Sequence, residues 1–463
     1  MARAPRRRGS TPCAFLLACL VLACGRGPDA RPSFVVVLTD DHRHDALGVV
    51  QREQGGGARF PWLATPSLDR LAAEGVRFRN AFAVSALCSP SRASFLTGRH
   101  AHAHRVLDNE TPLGPELVTY ASLLRAAGYA TGYAGKWHMG SQRERPGFDW
   151  WASYVGQGRY VDATFEVAGT PRETRGWVDD AATDFAIEFL RRERAGPFLL
   201  VLGYKAPHGP RRPSSVPERA RGRYADAALA PPRSADTLAP WAKPRERKRP
   251  PGTGRGTRVY FELVSAMDDA LGRLLDEIDA LGLAERTVVI FAGDNGALLG
   301  EHGMMSKRSA YEASMRIPLI VRWPGLGAGA RGRTVDAPVL NVDVAPTILD
   351  LAGVEAPEGL HGRSLRPLLL GERVPWRRAF LYEYFAEPGF ATPTQLALRD
   401  ADAKLVVYPG HPEWTELFDL ASDPDELRNL AREPESEARL DELRAALERE
   451  ARDAGLDPAH LEP

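Results

Sequence analysis

Ser33-Phe34-Val35-Val36-Val37-Leu38-Thr39-Asp40-Asp41 is an unbroken apolar run that ends in two acids. Without polar alternation it reads as a strand buried on both faces, as the central strands of parallel sheets are. Its carboxyl end is where open α/β sheets usually build their sites, which places Asp40 and Asp41 for chemistry. Residues 287–292 repeat the pattern and run into Gly293-Asp294-Asn295-Gly296. One Asp after a strand is most often a turn or cap residue. Two such clusters at two strand ends suggest instead oxygen ligands for a hard divalent cation.

The pattern continues outward from these two strands. Residues 198–203 and 318–322 are further apolar strands. Residues 65–75 carry Thr65 as an N-cap, Pro66 in the first turn and a terminal Gly75, which predicts a helix. Residues 259–281 place Leu263, Met267, Leu271, Leu274, Leu275 and Ile278 on one helical stripe, the pattern of plain core packing. Alternating strands and helices predict an α/β sandwich around a mostly parallel central sheet. No internal repeat or coiled coil interrupts it.

The 463 residues exceed one minimal domain, and 44% apolar with 26% charged content is that of a globular protein, not a disordered one. Lys plus Arg and Asp plus Glu are both 60, so no global field points to nucleic acid, and anion binding must come from local clustering. Arg3, Arg6, Arg7 and Arg8 precede an apolar run at 13–23 that is too short to span a bilayer, which reads as a secretory signal over residues 1–23. Val21-Leu22-Ala23-Cys24 has the form of a bacterial lipobox, with Cys24 as the acceptor of a lipid anchor. The expected location is therefore the periplasm or cell surface. Cys13 and Cys19 would leave with the signal, so Cys88 stands alone in the folded body and no disulfide framework forms. A lone thiol in an oxidising compartment is a liability unless it has a purpose or has been converted.

Residues 211–258 are rich in Pro and Arg and read as a long surface excursion. Within them Lys243, Arg245, Arg247, Lys248, Arg249, Arg255 and Arg258 form a basic run, read first as a solvated loop and second as a contact for a polyanionic sugar chain. After Pro375 the pattern changes to short strands at 379–384, 395–399, 404–408 and 416–419. A helix at 435–454 follows, with Leu440, Leu443 and Leu447 on its apolar face. The expected division is a main domain over 24–375 and a small antiparallel α+β subdomain over 376–463.

Leu87-Cys88-Ser89-Pro90-Ser91-Arg92-Ala93-Ser94, followed after Phe95 by Leu96-Thr97-Gly98-Arg99, resembles the signature of the type I sulfatases, whose Cys-x-Pro-x-Arg cysteine is oxidised after translation to formylglycine. The resemblance runs from about Ser33 to Leu430. It takes in Lys136 and His138 in Gly135-Lys136-Trp137-His138-Met139-Gly140, His208 in Lys205-Ala206-Pro207-His208, and Lys307 in Glu301-His302-Gly303-Met304-Met305-Ser306-Lys307. It also takes in Leu340 to Thr347 and Glu416 to Leu420. The bacterial carbohydrate sulfatases related to N-acetylglucosamine-6-sulfatase and iduronate-2-sulfatase are the most similar in appearance. Choline sulfatase is a less similar alternative. His42 departs from the pattern, where a Gln is common, and so does the Gly-rich insertion at 54–59.

The resemblance implies an alkaline-phosphatase-like fold and hydrolysis of sulfate esters on sulfated carbohydrates. It implies one Ca²⁺ held by Asp40, Asp41, Asp294, Asn295 and an oxygen of residue 88, with Cys88 converted to 3-oxoalanine by a formylglycine-generating enzyme. Recognising a sulfate takes cations and donors converging on its oxygens. Arg92 and Lys136, with the calcium, are expected to favour an alkoxide of hydrated formylglycine that attacks sulfur. His208 and Lys307 stand on the leaving-group side, and His138 is the expected base for the step that regenerates the aldehyde. Two other readings remain: a phosphonate monoester or phosphodiester hydrolase of the same superfamily, and a non-catalytic glycan-binding lipoprotein.

Overall fold

The computed structural model describes residues 1–2, 31–243 and 249–457. The expected signal beyond Ala2, the lipid-acceptor Cys24, and Arg245, Arg247 and Lys248 of the basic run lie outside the described residues.

The strands of the main sheet are β1 (Ser33–Thr39), β2 (Val76–Phe82), β3 (Ala130–Lys136), β4 (Trp150–Tyr154), β5 (Thr164–Val167), β6 (Thr170–Glu173), β7 (Phe198–Gly203), β8 (Thr287–Gly293), β9 (Arg316–Arg322), β10 (Arg333–Val335) and β11 (Val339–Leu340). They lie in the order β10-β2-β9-β8-β1-β7-β3-β4-β5-β6, with β11 also on β2. The centre, β8-β1-β7-β3-β4, is parallel throughout, as the apolar runs predict. β9 is antiparallel to both of its neighbours, so the sheet is mixed towards that edge. The connection from β8 holds only single-turn helices, and the chain turns back into β9 at the same end of the sheet. Residues 294–315 therefore stay above the carboxyl ends of the central strands.

Successive residues of β1 feed two cores. Val35 and Val37 pack with the helices Val178–Leu190 and Arg255–Ala280. Phe34, Val36 and Leu38 pack with the helices Cys88–Thr97, Tyr120–Ala126 and Val344–Ala352. Each such fully buried side chain contributes about 1.5–3 kcal/mol relative to exposure. The expected apolar stripe is buried in full, from Leu263 to Ile278.

The C-terminal part is a separate antiparallel sheet of β12 (Phe380–Tyr384), β13 (Gln395–Arg399), β14 (Ala403–Val407) and β15 (Glu416–Asp419) in that order. On one face Leu440, Leu443 and Leu447 of the helix Glu437–Asp453 cover Leu396, Leu398 and Leu405. On the other, Phe380, Tyr382, Tyr384, Ala397 and Val406 press on Phe82, Val84, Ala86 and Leu87, the approach to Cys88.

Two expectations need correction. Thr65 precedes the helix Pro66–Glu74 but does not cap it: its hydroxyl accepts the Gly48 N–H at 2.8 Å. The Ser67 and Leu68 N–H groups are taken instead by the Asp268 carboxylate, at 3.0 and 2.8 Å, from a helix far along the chain. The 211–258 stretch is not wholly a surface excursion, since Ser215, Val216, Ala220, Tyr224, Ala235 and Ala239 are buried.

Asp268→Ala leaves two buried helix-end donors without an acceptor, and denaturant unfolding should give a loss of about 1–3 kcal/mol. A loss no larger than that of a surface substitution would refute this account of the helix start. A second expectation concerns His102, which donates from Nδ1 to Glu383 and from Nε2 to the Ala454 carbonyl, both at 2.8 Å, and so ties the main body to the C-terminal helix as an imidazolium. Burial works against its charge, but Glu383 and the Ala454 carbonyl raise it above the usual histidine value. A raised folded-state value means that the stabilisation is complete below pH of about 6.5 and fades as pH rises through the raised value. The destabilisation by His102→Ala, measured by urea unfolding, should thus be larger at pH 6 than at pH 9.

Candidate active site

Four neighbouring parallel strands deliver the site. The β1–β8 register pairs Thr39 with Gly293, so Asp40 and Asp41 emerge beside Asp294 and Asn295. β7 pairs with β1 and β3, which brings the segment 205–208 and the segment 136–138 to the same edge. Gly135 and Gly203 make this approach feasible: a Cβ on Gly135, which has φ +87°, would lie 2.1 Å from the Gly203 carbonyl oxygen. The helix Cys88–Thr97 supplies the rest. Cys88 opens it and Arg92 follows one turn later on the same face.

These residues form one buried cluster. The Cys88 thiol donates to Asp40 Oδ1 at 3.3 Å, and Lys307 Nζ donates to Cys88 Sγ at 2.7 Å. Lys136 Nζ donates to Asp40 Oδ2 and, at 2.6 Å, to Gln157 Oε1. Lys307 Nζ also donates to Asp41 Oδ1, which accepts the Asn295 amide at 2.8 Å. Arg92 Nε donates to Asp294 Oδ2 at 2.8 Å, and its Nη2 lies 3.6 Å from Asp40 Oδ2. Asp294 Oδ1 accepts the N–H groups of Asp41 and Asn295. His208 Nε2 stands 3.9 Å from Asp41 Oδ2. Asp40, Asp41, Cys88 and His208 offer ligand atoms within 4.8 Å of one another.

Burial sets the electrostatics. It pushes the Cys88 thiol up to about 12, with Lys307 opposing, so the encoded residue is not a thiolate at neutral pH. Burial would also raise Asp41, but Lys307 and Arg211 hold it below its usual range. Burial is the first cause that lowers Lys136, with Lys205 next. Burial and the surrounding cations keep His138 and His208 well below the ordinary histidine value.

Two further side chains in the cluster were not among the expected site residues. Gln157, on the loop after β4, offers Oε1 to Lys136, so its Nε2 donates to His138 Nε2 at 2.9 Å. The His138 proton then sits on Nδ1, which is buried without a partner, as are Arg92 Nη2 and Asn295 Oδ1. Lys205 donates to the Gln157 carbonyl at 2.7 Å, and burial lowers its ammonium to about 8. A motif-based reading has no signal for Gln157. Lys205 lies inside the quoted Lys-Ala-Pro-His run and could have been found there.

Asp41, His208, Arg211, Lys307 and Arg308 border a cleft of about 350 Å³ above the cluster. The two departures from the sulfatase pattern lie outside the cluster's contacts. His42 bonds Thr39 Oγ1 and the Ala46 carbonyl, and burial lowers it to about 4, a structural imidazole. Gly55–Gly57 form an exposed single turn.

Residues 32–354 match the family described as Sulfatase, and residues 300–453 match the family described as N-sulphoglucosamine sulphohydrolase, C-terminal. An N-acetylglucosamine-6-O-sulfatase of Bacteroides thetaiotaomicron is 33% identical, over 95% of this chain and 90% of its own. An ulvan-active sulfatase of Formosa agariphila is 31% identical, over 92% of this chain and 82% of its own. A structure solved in complex with its substrate D-glucosamine-2-N,6-O-disulfate superposes with a TM-score of 0.82 at 30% identity, covering 92% of this chain and 98% of that one. The strand ends, the cysteine that opens a helix and the cations around it are thus found on a chain that belongs to the sulfatase family, the hydrolases of sulfuric esters.

Proposed function

We propose that this sulfatase acts on sulfated saccharides, through a formylglycine formed from Cys88 and one Ca²⁺ held beside it. The observation that carries the reading is the meeting of Asp40, Asp41, Asp294 and Asn295, at two adjacent strand ends, with Cys88 and the cations Arg92, Lys136 and Lys307. The sugar substrates named for the relatives support the substrate class.

The donor set fits calcium. Three carboxylates and one amide are hard oxygen ligands, and the Asn295 Oδ1 atom, buried without a partner, is the kind of atom that a cation satisfies. Asp40, Asp41, Asp294 and Asn295 would hold the ion, which when bound offsets the carboxylate charge and attracts an anionic ester oxygen. The nitrogen of His208, within the same cluster, is left to the substrate by an oxygen-seeking ion. Residue 88 also fits conversion: the thiol is protonated, whereas an aldehyde hydrate supplies one hydroxyl for attack on sulfur and a second for release.

The chain's own groups then divide the work. Arg92, Lys136 and Lys307 bring positive charge to the sulfate oxygens. His138 enters as a donor through Nδ1–H, and the base role requires Gln157 to release Nε2. His208 has its Nδ1–H committed to the Gly209 carbonyl at 2.7 Å, so a neutral ring presents a lone pair at Nε2. A proton taken up there from solvent, beside an anionic ester, passes to the departing sugar oxygen as the S–O bond breaks, a general-acid step.

The same reading carries maturation by a formylglycine-generating enzyme, export to the periplasm or cell surface, and a lipid at Cys24. It also carries the division into a main domain over 24–375 and a subdomain over 376–463. Among the described residues no helix is long and apolar enough to cross a membrane.

The test is free-sulfate release from defined sulfated saccharides, choline sulfate and a phosphate diester. The enzyme is co-expressed with a formylglycine-generating enzyme, beside a Cys88→Ala control. Release from saccharides that vanishes in the control is expected. Calcium at about 100 times its dissociation constant should stabilise the protein by about 2.7 kcal/mol, a few degrees in Tm, and EGTA should reverse the shift. Turnover of choline sulfate alone would move the substrate class. Turnover of the diester alone, with aldehyde present at 88, would favour the phosphoryl reading, and a digest holding only thiol at 88 would favour the non-catalytic one.

A further inference from the structure

Arg211 follows His208 by three residues and belongs to no part of the mechanism above. Its side chain is 14% exposed and lies on the wall of the 350 Å³ cleft. Cys88 does not border that cleft, so Arg211 stands outward of the reacting residue.

Its charge balance is unlike that of its neighbours. Lys307 is hydrogen-bonded to Asp41, and Arg308 donates to Glu387 at 2.6 Å. Among the described residues that border the cleft, Arg211 is the Lys or Arg without a hydrogen-bonded carboxylate. Its nearest acid, Asp41 Oδ2, is 4.0 Å away, beyond hydrogen-bond reach, and the other oxygen of that carboxylate already serves Lys307 and Asn295. Its ion pair with Asp41 is long and lacks a hydrogen bond, so the guanidinium keeps its donors free towards the cleft.

The side chain is also held in place. Its guanidinium lies 4.8 Å from the centroid of the buried Tyr260 ring. That ring is fixed in turn, since its hydroxyl donates to the Asp41 carbonyl at 2.8 Å and accepts the Arg43 N–H at 2.9 Å. A stacked, pre-aimed guanidinium is suited to a bidentate oxyanion, whereas a neutral sugar hydroxyl would not offset its charge.

We propose that Arg211 reads a second anionic group, a sulfate or a carboxylate, on the saccharide that carries the scissile sulfate ester. The proposal rests on the sulfatase reading and narrows it to substrates with at least two negative groups.

The test compares sulfate release from N-acetylglucosamine 6-sulfate with release from glucosamine 2-N,6-O-disulfate and from a disaccharide in which a uronic acid neighbours the 6-sulfated sugar. Wild-type enzyme, Arg211→Gln and Arg211→Lys are all co-expressed with the formylglycine-generating enzyme, and their melting temperatures are compared as a check on folding. Wild type should favour a doubly anionic ester in kcat/KM. Arg211→Gln should lower that preference about ten- to a hundredfold, chiefly through KM, the worth of a charge-assisted bidentate contact. Arg211→Lys, which keeps the charge without the fork, should fall between them. Which of the two doubly anionic esters shows the preference tells sulfate from carboxylate. An unchanged preference in Arg211→Gln, or an equal loss on the singly and doubly anionic esters, would overturn the proposal while leaving the sulfatase reading intact. Silence of wild type on every sulfate would remove both.

Discussion

Asp40, Asp41 and Asp294 leave two adjacent parallel strands almost fully buried, and no fold keeps three carboxylates so close without positive charge among them. Two like charges 4 Å apart repel by about 4 kcal/mol even at an effective dielectric of 20. The opposing cations come from three separate elements: Arg92 from the helix that Cys88 opens, Lys136 from the end of β3, and Lys307 from the connection after β8. Each element is thereby tied to the strand ends, and the docking of helix, sheet edge and loop is one electrostatic problem with one solution. The cations that neutralise the carboxylates are also those that an anionic ester needs. A divalent ion taking over part of that neutralisation leaves their charge for the substrate.

The antiparallel β9 belongs to the same solution. Had the chain crossed over to a parallel strand after β8, residues 294–315 would have left the site, and Lys307 with them. The C-terminal sheet adds a second support. Its inner face packs on residues 82–87, and Asn341 joins Val84 N and Ser91 Oγ, so the segment leading into Cys88 is braced from both sides. The distant run at 340–347 is thus scaffolding for the helix that carries Cys88.

The site was legible where its chemistry coincides with strand ends and local motifs, because a buried apolar run fixes where its next residue emerges. Asp40, Asp41, Asp294 and Asn295 emerge at neighbouring strand ends for that reason, whereas Cys88, Arg92, Lys136, His138, His208 and Lys307 were marked by their resemblance to sulfatase motifs and meet the carboxylates through the tertiary fold. Gln157 was not legible: an amide on a loop has no period or motif, and only the tertiary approach of β4 to β3 brings it to Lys136 and His138. Arg211 lay hidden in a Pro- and Arg-rich stretch that reads as solvated. The two prolines at 207 and 210 that stiffen its segment were the available hint. Asp268 was hidden in the opposite way, as a polar member of a helix whose apolar stripe explains the helix without it. Its role as acceptor for a distant helix end is tertiary, and there it displaced the local Thr65 cap.

The burial of Cys88 constrains when the proposed conversion can take place. The residue is fully buried at the first position of a helix, with its thiol between Asp40 and Lys307. An enzyme that oxidises this side chain must reach it, and here the flanking residues are a helix and a segment packed on the C-terminal sheet. Access therefore belongs to the unfolded or nascent chain, and folding fixes whichever side chain is present. The burial that closes the route also protects the outcome. A thiol that burial pushes up to about 12 and shields from solvent is a poor partner for disulfide exchange and oxidation. On the proposed conversion, the chemistry of residue 88 is decided before the fold closes over it, and the fold then preserves that decision.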